Sequence, residues 1–161
     1  MAKQAGGTPA VKALIAAGVD FTLHPYAHAE GETSFGDEAV RRLGLDPERV
    51  FKTLVADLGG ELVVGIVPVA RQLDLKALAA ALGAKKASMA DPAVAARSSG
   101  YVLGGISPIG QKTRLRTVLD AHADGFPTIY VSAGKRGLQV ELAPADLREV
   151  TGATAAGIAT A

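Results

Sequence analysis

Val50-Phe51-Lys52-Thr53-Leu54-Val55-Ala56-Asp57, then Leu58-Gly59-Gly60-Glu61, then Leu62-Val63-Val64-Gly65-Ile66-Val67-Pro68, reads as two strands joined by a tight turn. In the first strand Val50, Lys52, Leu54 and Ala56 share one face, and Phe51, Thr53, Val55 and Asp57 share the other. Both faces are apolar for most of their length, so the strand is expected to be buried on both sides. A lysine at such a position is costly unless it lines a cavity or finds a partner. If desolvated, it can stay cationic and polarise a carbonyl, or act as a base when its pKa falls. The plainer reading is a lysine whose head reaches water from a strand end.

Capping signals place the helices around this hairpin. Upstream, Thr8-Pro9 opens a helix that closes at Gly18, and Phe21 to His24 is a short strand. Ser34 with Asp37 opens a second helix running to Leu43, before Gly44. Downstream, Asp74 opens a helix over Leu75 to Leu82, and Asp91-Pro92 opens another that ends at Ser98-Ser99-Gly100. Arg114 to Leu119 and Thr128 to Ser132 read as strands. Gly134-Lys135-Arg136-Gly137 reads as a turn into a strand over Leu138 to Leu142, and Pro144 to Val150 as a last helix. This order is not a strict alternation of strand and helix. It predicts an α+β fold, a mixed-sheet, barrel-like β core surrounded by helices. One domain over residues 8–150 is expected, with tails at 1–7 and 151–161.

The 161 residues are 48% hydrophobic and 4% aromatic, enough for a core built from Val, Leu, Ile and Ala. There is no Cys, so the chain supplies neither a disulfide nor a thiolate. Net charge is +1, so contact with nucleic acid must come from local patches. Met1 to Gly7 carries no apolar run, no stretch is long and apolar enough for a membrane helix, and a cytoplasmic protein is expected.

Gly100-Tyr101-Val102-Leu103-Gly104-Gly105-Ile106-Ser107-Pro108-Ile109-Gly110 is a glycine-rich, uncharged loop. Its N–H groups can form a concave anion or carbonyl site, or it is simply a connection between strands. It resembles a phosphate-binding loop only superficially. Gln111 intrudes before Lys112-Thr113, Pro108 removes a donor, and a strand rather than a helix is expected to follow. Ser107 has no His–Asp pair placed to activate it. His24 and His28 are four apart, but a third metal ligand is missing, so no metal and no cofactor are expected. Lys112, Arg114 and Arg116 alternate, and Lys135-Arg136 sits on a turn. These, with Arg41-Arg42 and Lys85-Lys86, are candidate phosphate contacts or ordinary solvated charge. Tyr26, Phe35 and Tyr101 are candidates for a pocket wall or for plain core packing.

Seven segments in register resemble the YbaK family of aminoacyl-tRNA deacylases. They are Phe35-Gly36-Asp37-Glu38, Val50-Phe51-Lys52-Thr53-Leu54, Gln72-Leu73-Asp74-Leu75-Lys76, Ala81-Leu82-Gly83-Ala84-Lys85-Lys86, Met89-Ala90-Asp91-Pro92, Gly100 through Pro108, and Gly134-Lys135-Arg136-Gly137-Leu138. The resemblance covers Thr8 to about Leu147. It implies the fold of the editing insertion of prolyl-tRNA synthetase and removal of cysteine mischarged on tRNA(Pro). It also implies mischarged tRNA and prolyl-tRNA synthetase as partners. Lys52 matches the family's essential lysine, and Gly104, Gly105, Ile106, Ser107 and Pro108 match its glycine–proline loop. Tyr26, Phe35, Thr53 and Ser132 match pocket positions. Gln139, counted with the substrate-binding residues, stands where the family often has an acidic residue that could pair with a lysine or the substrate amine. In the family picture the substrate's own thiol attacks its ester carbonyl, so the protein needs no nucleophile. Gly104 and Gly105 then offer N–H groups to the carbonyl oxygen, while Lys52 holds the terminal adenosine, its phosphate or the developing oxyanion. Lys112, Arg114, Arg116, Lys135 and Arg136 would meet the tRNA end. A deacylase of different amino-acid specificity using water, or a non-catalytic tRNA-binding module, is the alternative.

Overall fold

The computed structural model describes residues 7–161, so all of the expected N-terminal tail except Gly7 lies outside the described residues. The elements are α1 (Pro9–Ala17), β1 (Thr22–Pro25), α2 (Phe35–Leu43), β2 (Phe51–Asp57), β3 (Leu62–Pro68), α3 (Leu75–Ala81) and β4 (Ser88–Met89). They continue with α4 (Pro92–Ser99), β5 (Arg116–Asp120), a 3-10 turn (Ala121–Gly125), β6 (Ile129–Lys135), β7 (Leu138–Leu142), α5 (Pro144–Thr151) and β8 (Thr154–Ala156). The caps behave as their chemistry dictates. The side chains of Thr8, Asp74 and Asp91 accept from the N–H groups of Val11, Ala77 and Ala93. Ser34 precedes α2 but makes no side-chain cap.

Two sheets form an open core rather than a closed barrel. One has the order β1-β7-β6 and is antiparallel throughout. The other has the order β4-β2-β3-β5-β8, with β5 parallel to both β3 and β8. The sheets meet at one parallel bridge, Val50 with Tyr130, where the Tyr130 N–H donates to the Arg49 carbonyl at 3.1 Å. Alternation along β3 sends Val64 and Ile66 into the larger core with Leu14, Leu119, Val131 and Val140. Val63 and Val67 go to a second cluster with Leu78, Val118 and Ile158. The expected strand from Arg114 starts at Arg116, so Lys112 and Arg114 lie on irregular chain and the alternation expected of the three basic residues does not hold.

The segment after α5 is not a loose tail. β8 adds the last strand to the five-stranded sheet, and Ile158 is fully buried. The buried Asp120 carboxylate holds it there. It accepts from the N–H groups of Ile158 at 2.9 Å and Ala159 at 3.0 Å, as well as from the His122 N–H at 3.0 Å. Burial alone pushes this carboxyl up. The N–H groups of His122 and Ile158 and the His122 imidazole outweigh it and hold the pKa below the usual value. The small uncharged residues of 151–161 gave no sign of this, because the anchor lies far away in sequence. Asp120→Asn removes the charge that receives these donors. The expected loss is about 1–3 kcal/mol in urea unfolding, with amide exchange at Ile158 and Ala159 accelerating more than at Val64.

Candidate functional site

The site begins with an incomplete strand pairing. The Val50 carbonyl accepts from the Val69 N–H at 2.7 Å, and the Leu58 N–H donates to the Glu61 carbonyl at 2.9 Å. With the register between, this alternation turns the backbone groups of Lys52, Leu54 and Ala56 toward β3. Those of Phe51, Thr53 and Val55 point to the other edge. There β4 pairs only with Ala56 and Asp57, and the Ala90 N–H reaches the Val55 carbonyl at 3.0 Å. On that edge no strand is in register with Thr53, and its N–H and C=O stand outside any ladder there. They open into a cavity of about 430 Å³ whose lining is mostly apolar.

The cavity wraps this free edge, so side chains from both faces of β2 reach it. Lys52 lines it and is half-buried. Burial holds its ammonium pKa below the ordinary lysine value, against the pull of the nearby Asp37 charge. None of the ion pairs among the described residues includes Lys52. Thr53 Oγ1 and Gln139 Oε1 are both buried without a hydrogen-bond partner, and both residues line the same cavity. Tyr26, Phe35, Gly104, Ile106 and Ser132 complete the expected set there. Burial pushes the Tyr26 hydroxyl pKa up. Ser132 Oγ accepts from the Gly134 N–H at 3.1 Å.

The glycine loop is held by close packing. Gly104 has φ +84°, and a Cβ there would lie 2.6 Å from the Phe35 ring. The Arg136 guanidinium lies over the Phe35 ring, 4.9 Å from its centroid, and its Nε donates to the Leu103 carbonyl at 2.7 Å. A Cβ on Gly105 would lie 2.8 Å from the Lys135 Cα. The Gly105 N–H already donates to the Val102 carbonyl at 2.9 Å, so it is not the free donor expected from the sequence. The Gly104 N–H has no partner among the described residues.

Other expected residues sit elsewhere. Ser107 is buried, its Oγ accepting from the Ile109 N–H at 3.2 Å. Pro108 lines a separate cavity of about 160 Å³ beside Gln111 and Arg114. Neither lines the larger cavity, because the chain turns inward after Ile106. Tyr101 belongs to the core. Its hydroxyl donates to the Ile109 carbonyl at 2.7 Å, and burial pushes its pKa up to about 12. Arg116 is engaged by Glu61 at 2.8 Å and 2.9 Å. Lys112, Arg114 and Lys135 take part in no ion pair among the described residues. No group of three or more His, Cys, Asp or Glu is arranged to hold a metal among those residues, and no helix there is long and apolar enough to cross a membrane.

Glu38, named in the sequence only as part of Phe35-Gly36-Asp37-Glu38, has an anchoring role that its local sequence does not signal. It is fully buried, and its carboxylate accepts from the Ala29 N–H at 2.7 Å and meets His28 Nδ1 at 2.6 Å. The Ala29 N–H is the main cause holding this carboxyl below the ordinary value; burial opposes it, and His28 adds to the lowering. The contact fixes the loop between Tyr26 and Phe35, two walls of the cavity. His24 goes to a different carboxylate, Glu141, at 2.9 Å, so the two histidines do not act together.

An α+β fold with a mostly apolar cavity that holds a cation and unpartnered polar atoms has the form of a small-ligand site. A family model described as "Aminoacyl-tRNA editing domain" matches residues 28–150. EbsC of Enterococcus faecalis, named "Putative Cys-tRNA(Pro)/Cys-tRNA(Cys) deacylase", is 39% identical over 144 residues, 88% of this chain and 87% of its own. YwhH of Bacillus subtilis is 29% identical over 123 residues, 74% of this chain and 78% of its own. A solved structure described as "a putative trans-editing enzyme for prolyl tRNA synthetase" matches with a TM-score of 0.83 at 23% identity, covering 95% of this chain and 96% of that one. The structure of hypothetical protein APE2540 matches equally, at 0.83 and 23%, over 94% and 99%. The chain belongs to the aminoacyl-tRNA editing domain family, and its class of activity is aminoacyl-tRNA deacylation.

Two outcomes test this construction. Gly104→Ala combines a positive φ with a clash against Phe35, and is expected to lower unfolding free energy by about 1–3 kcal/mol in a urea titration followed by circular dichroism. Glu38 has a depressed folded pKa, so its contribution is present above the unfolded value near about 4.3 and is lost as pH falls through the lower folded value. The urea midpoint of Glu38→Gln is therefore expected to change less than that of wild type between about pH 5 and pH 2.

Proposed function

We propose that this protein removes cysteine mischarged on tRNA(Pro), acting in trans beside prolyl-tRNA synthetase. The observation that carries the reading is the unpaired Lys52 cation beside the open Thr53 edge, in a cavity where no hydroxyl is hydrogen-bonded to an activating base. The chain has no Cys, Ser132 Oγ is engaged by the Gly134 N–H, and both nearby histidines are bound to carboxylates. The likeness to EbsC, whose name specifies Cys-tRNA(Pro) and Cys-tRNA(Cys), supports the choice of substrate.

In this reading the substrate supplies the nucleophile. Its thiol sulfur attacks its own ester carbonyl carbon, forming a C–S bond and a tetrahedral oxyanion. The C–O bond to the ribose then breaks, the thiol proton passes to the departing ribose oxygen, and a cyclic thiolactone and free tRNA result. The protein positions the chain and stabilises the oxyanion. In this reading the Gly104 and Thr53 N–H groups donate to the oxyanion, and Lys52 supplies positive charge for it or for the terminal nucleotide. Lys112, Arg114 and Lys135 serve the tRNA acceptor end, while Arg136 orders Phe35 and the glycine loop. A cytoplasmic location follows from the substrate.

Lys52→Ala is expected to reduce kcat/KM for Cys-tRNA(Pro) by at least about a hundredfold, with a melting temperature near that of wild type because Lys52 has no structural partner. The check is a deacylation time course with thiolactone trapping. Ser-tRNA(Pro), whose hydroxyl is the poorer nucleophile, is expected to be cleaved far more slowly. Full activity of the variant overturns the reading.

A further inference from the structure

The deacylase reading leaves two buried polar atoms unexplained. Gln139 is 7% exposed, and its Oε1 has no hydrogen-bond partner; Thr53 Oγ1, on the facing sheet, has none either. Leaving such an atom unpaired in the interior is unfavourable. Both residues line the one cavity, so a ligand that enters it can satisfy them. A side-chain amide oxygen only accepts, so its partner must bring an N–H or O–H.

Strand register explains why Gln139 has this role. Gln139 lies opposite Ser132 on one side and His24 on the other, so all three share the cavity-facing side of their sheet. Glu141 lies on the same side two residues further along β7, yet it is fully engaged. It meets His24 at 2.9 Å, Thr128 Oγ1 at 2.5 Å and Arg49 at 3.3 Å. No carboxylate lines the cavity. A neutral acceptor can receive an amine there without neutralising Lys52, whereas a carboxylate would compete with the ligand for that cation.

Resting on the deacylase reading, we propose that Gln139 Oε1 accepts a hydrogen bond from the substrate's α-amino group, with Thr53 Oγ1 beside it as a second polar contact. The subsite makes the enzyme selective for esters that carry a free amine. Among α-amino acids it reads the backbone of the residue and leaves the side chain to the apolar walls.

The test measures binding directly. The probes are the stable amide of cysteine with an amino-deoxyadenosine, and the matched amide of mercaptopropionic acid, which lacks only the amine. Wild type is expected to bind the cysteine amide at least about tenfold more tightly. Gln139→Leu is expected to erase that difference, and Gln139→Glu, which keeps an acceptor, to retain it. Equal binding of both probes by wild type overturns the proposal, and needs no variant to fold. An undiminished preference in folded Gln139→Leu overturns it as well. Deacylation of Cys-tRNA(Pro) is followed in parallel. If turnover occurs while the probes bind alike, the subsite is wrong and the reaction stands. If the amine preference holds without turnover, the subsite stands and the reaction is wrong.

Discussion

The site depends on a strand that is paired along only part of one edge. β2 is hydrogen-bonded to β3 along its whole length, but β4 covers only Ala56 and Asp57 on the other side. A free edge in a sheet is ordinarily a liability, because its N–H and C=O groups invite another strand. Here the exposed half is roofed by Phe35, the Gly104 loop and the start of α4, so the unpaired groups face a cavity. The main chain at Thr53 thereby supplies a donor and an acceptor whose positions are fixed by the β2–β3 ladder. Rigid main-chain dipoles suit a reaction in which charge develops on a carbonyl oxygen, since they need not reorient as it forms.

The roof is an interlocked set of contacts rather than one strong bond. Phe35 sits against the Gly104 backbone on one face and carries the Arg136 guanidinium at 4.9 Å. Arg136 returns to the Leu103 carbonyl, closing the circuit between α2, the loop and the β6–β7 hairpin. Gly105 completes it by lying against the Lys135 backbone with no room for a Cβ. Beneath, Glu38 holds His28 and Ala29, so Tyr26 and Phe35 keep their separation. Gly104 and Gly105 therefore act mainly by permitting close approach, and of these two it is Gly104 whose N–H has no partner among the described residues.

The polar groups of the cavity have opposite needs from those of the surrounding structure. Asp120, Glu38 and Glu141 are each surrounded by donors and stabilise the fold as charged groups. Lys52, Thr53 and Gln139 are left without such partners in a mostly apolar space. Buried polar groups are normally satisfied, so a cluster of exceptions in one cavity marks where a ligand supplies what the protein withholds.

The sequence by itself determined the hairpin around Lys52, through two apolar runs flanking the Gly59-Gly60 turn, and most helix boundaries, through Thr8, Asp74, Asp91 and the glycines that follow each helix. It determined that the chain supplies no cysteine of its own, and its motifs identified Lys52, Tyr26, Phe35 and Ser132 as neighbours. These features are legible because they arise within a few residues or within a recognisable family pattern. Tertiary structure alone decided the rest. The free edge at Thr53 follows from where β4 stops, and the unpaired Gln139 oxygen from strand register. The anchoring of residues 154–159 follows from Asp120, and the engagement of Arg116 from Glu61 on a distant turn. The Gly105 N–H, a donor on paper, is closed off by a turn whose geometry depends on the packing beneath it. Each of these is a question of which partner reaches a polar group first, and that is settled by pairing between segments far apart in the chain.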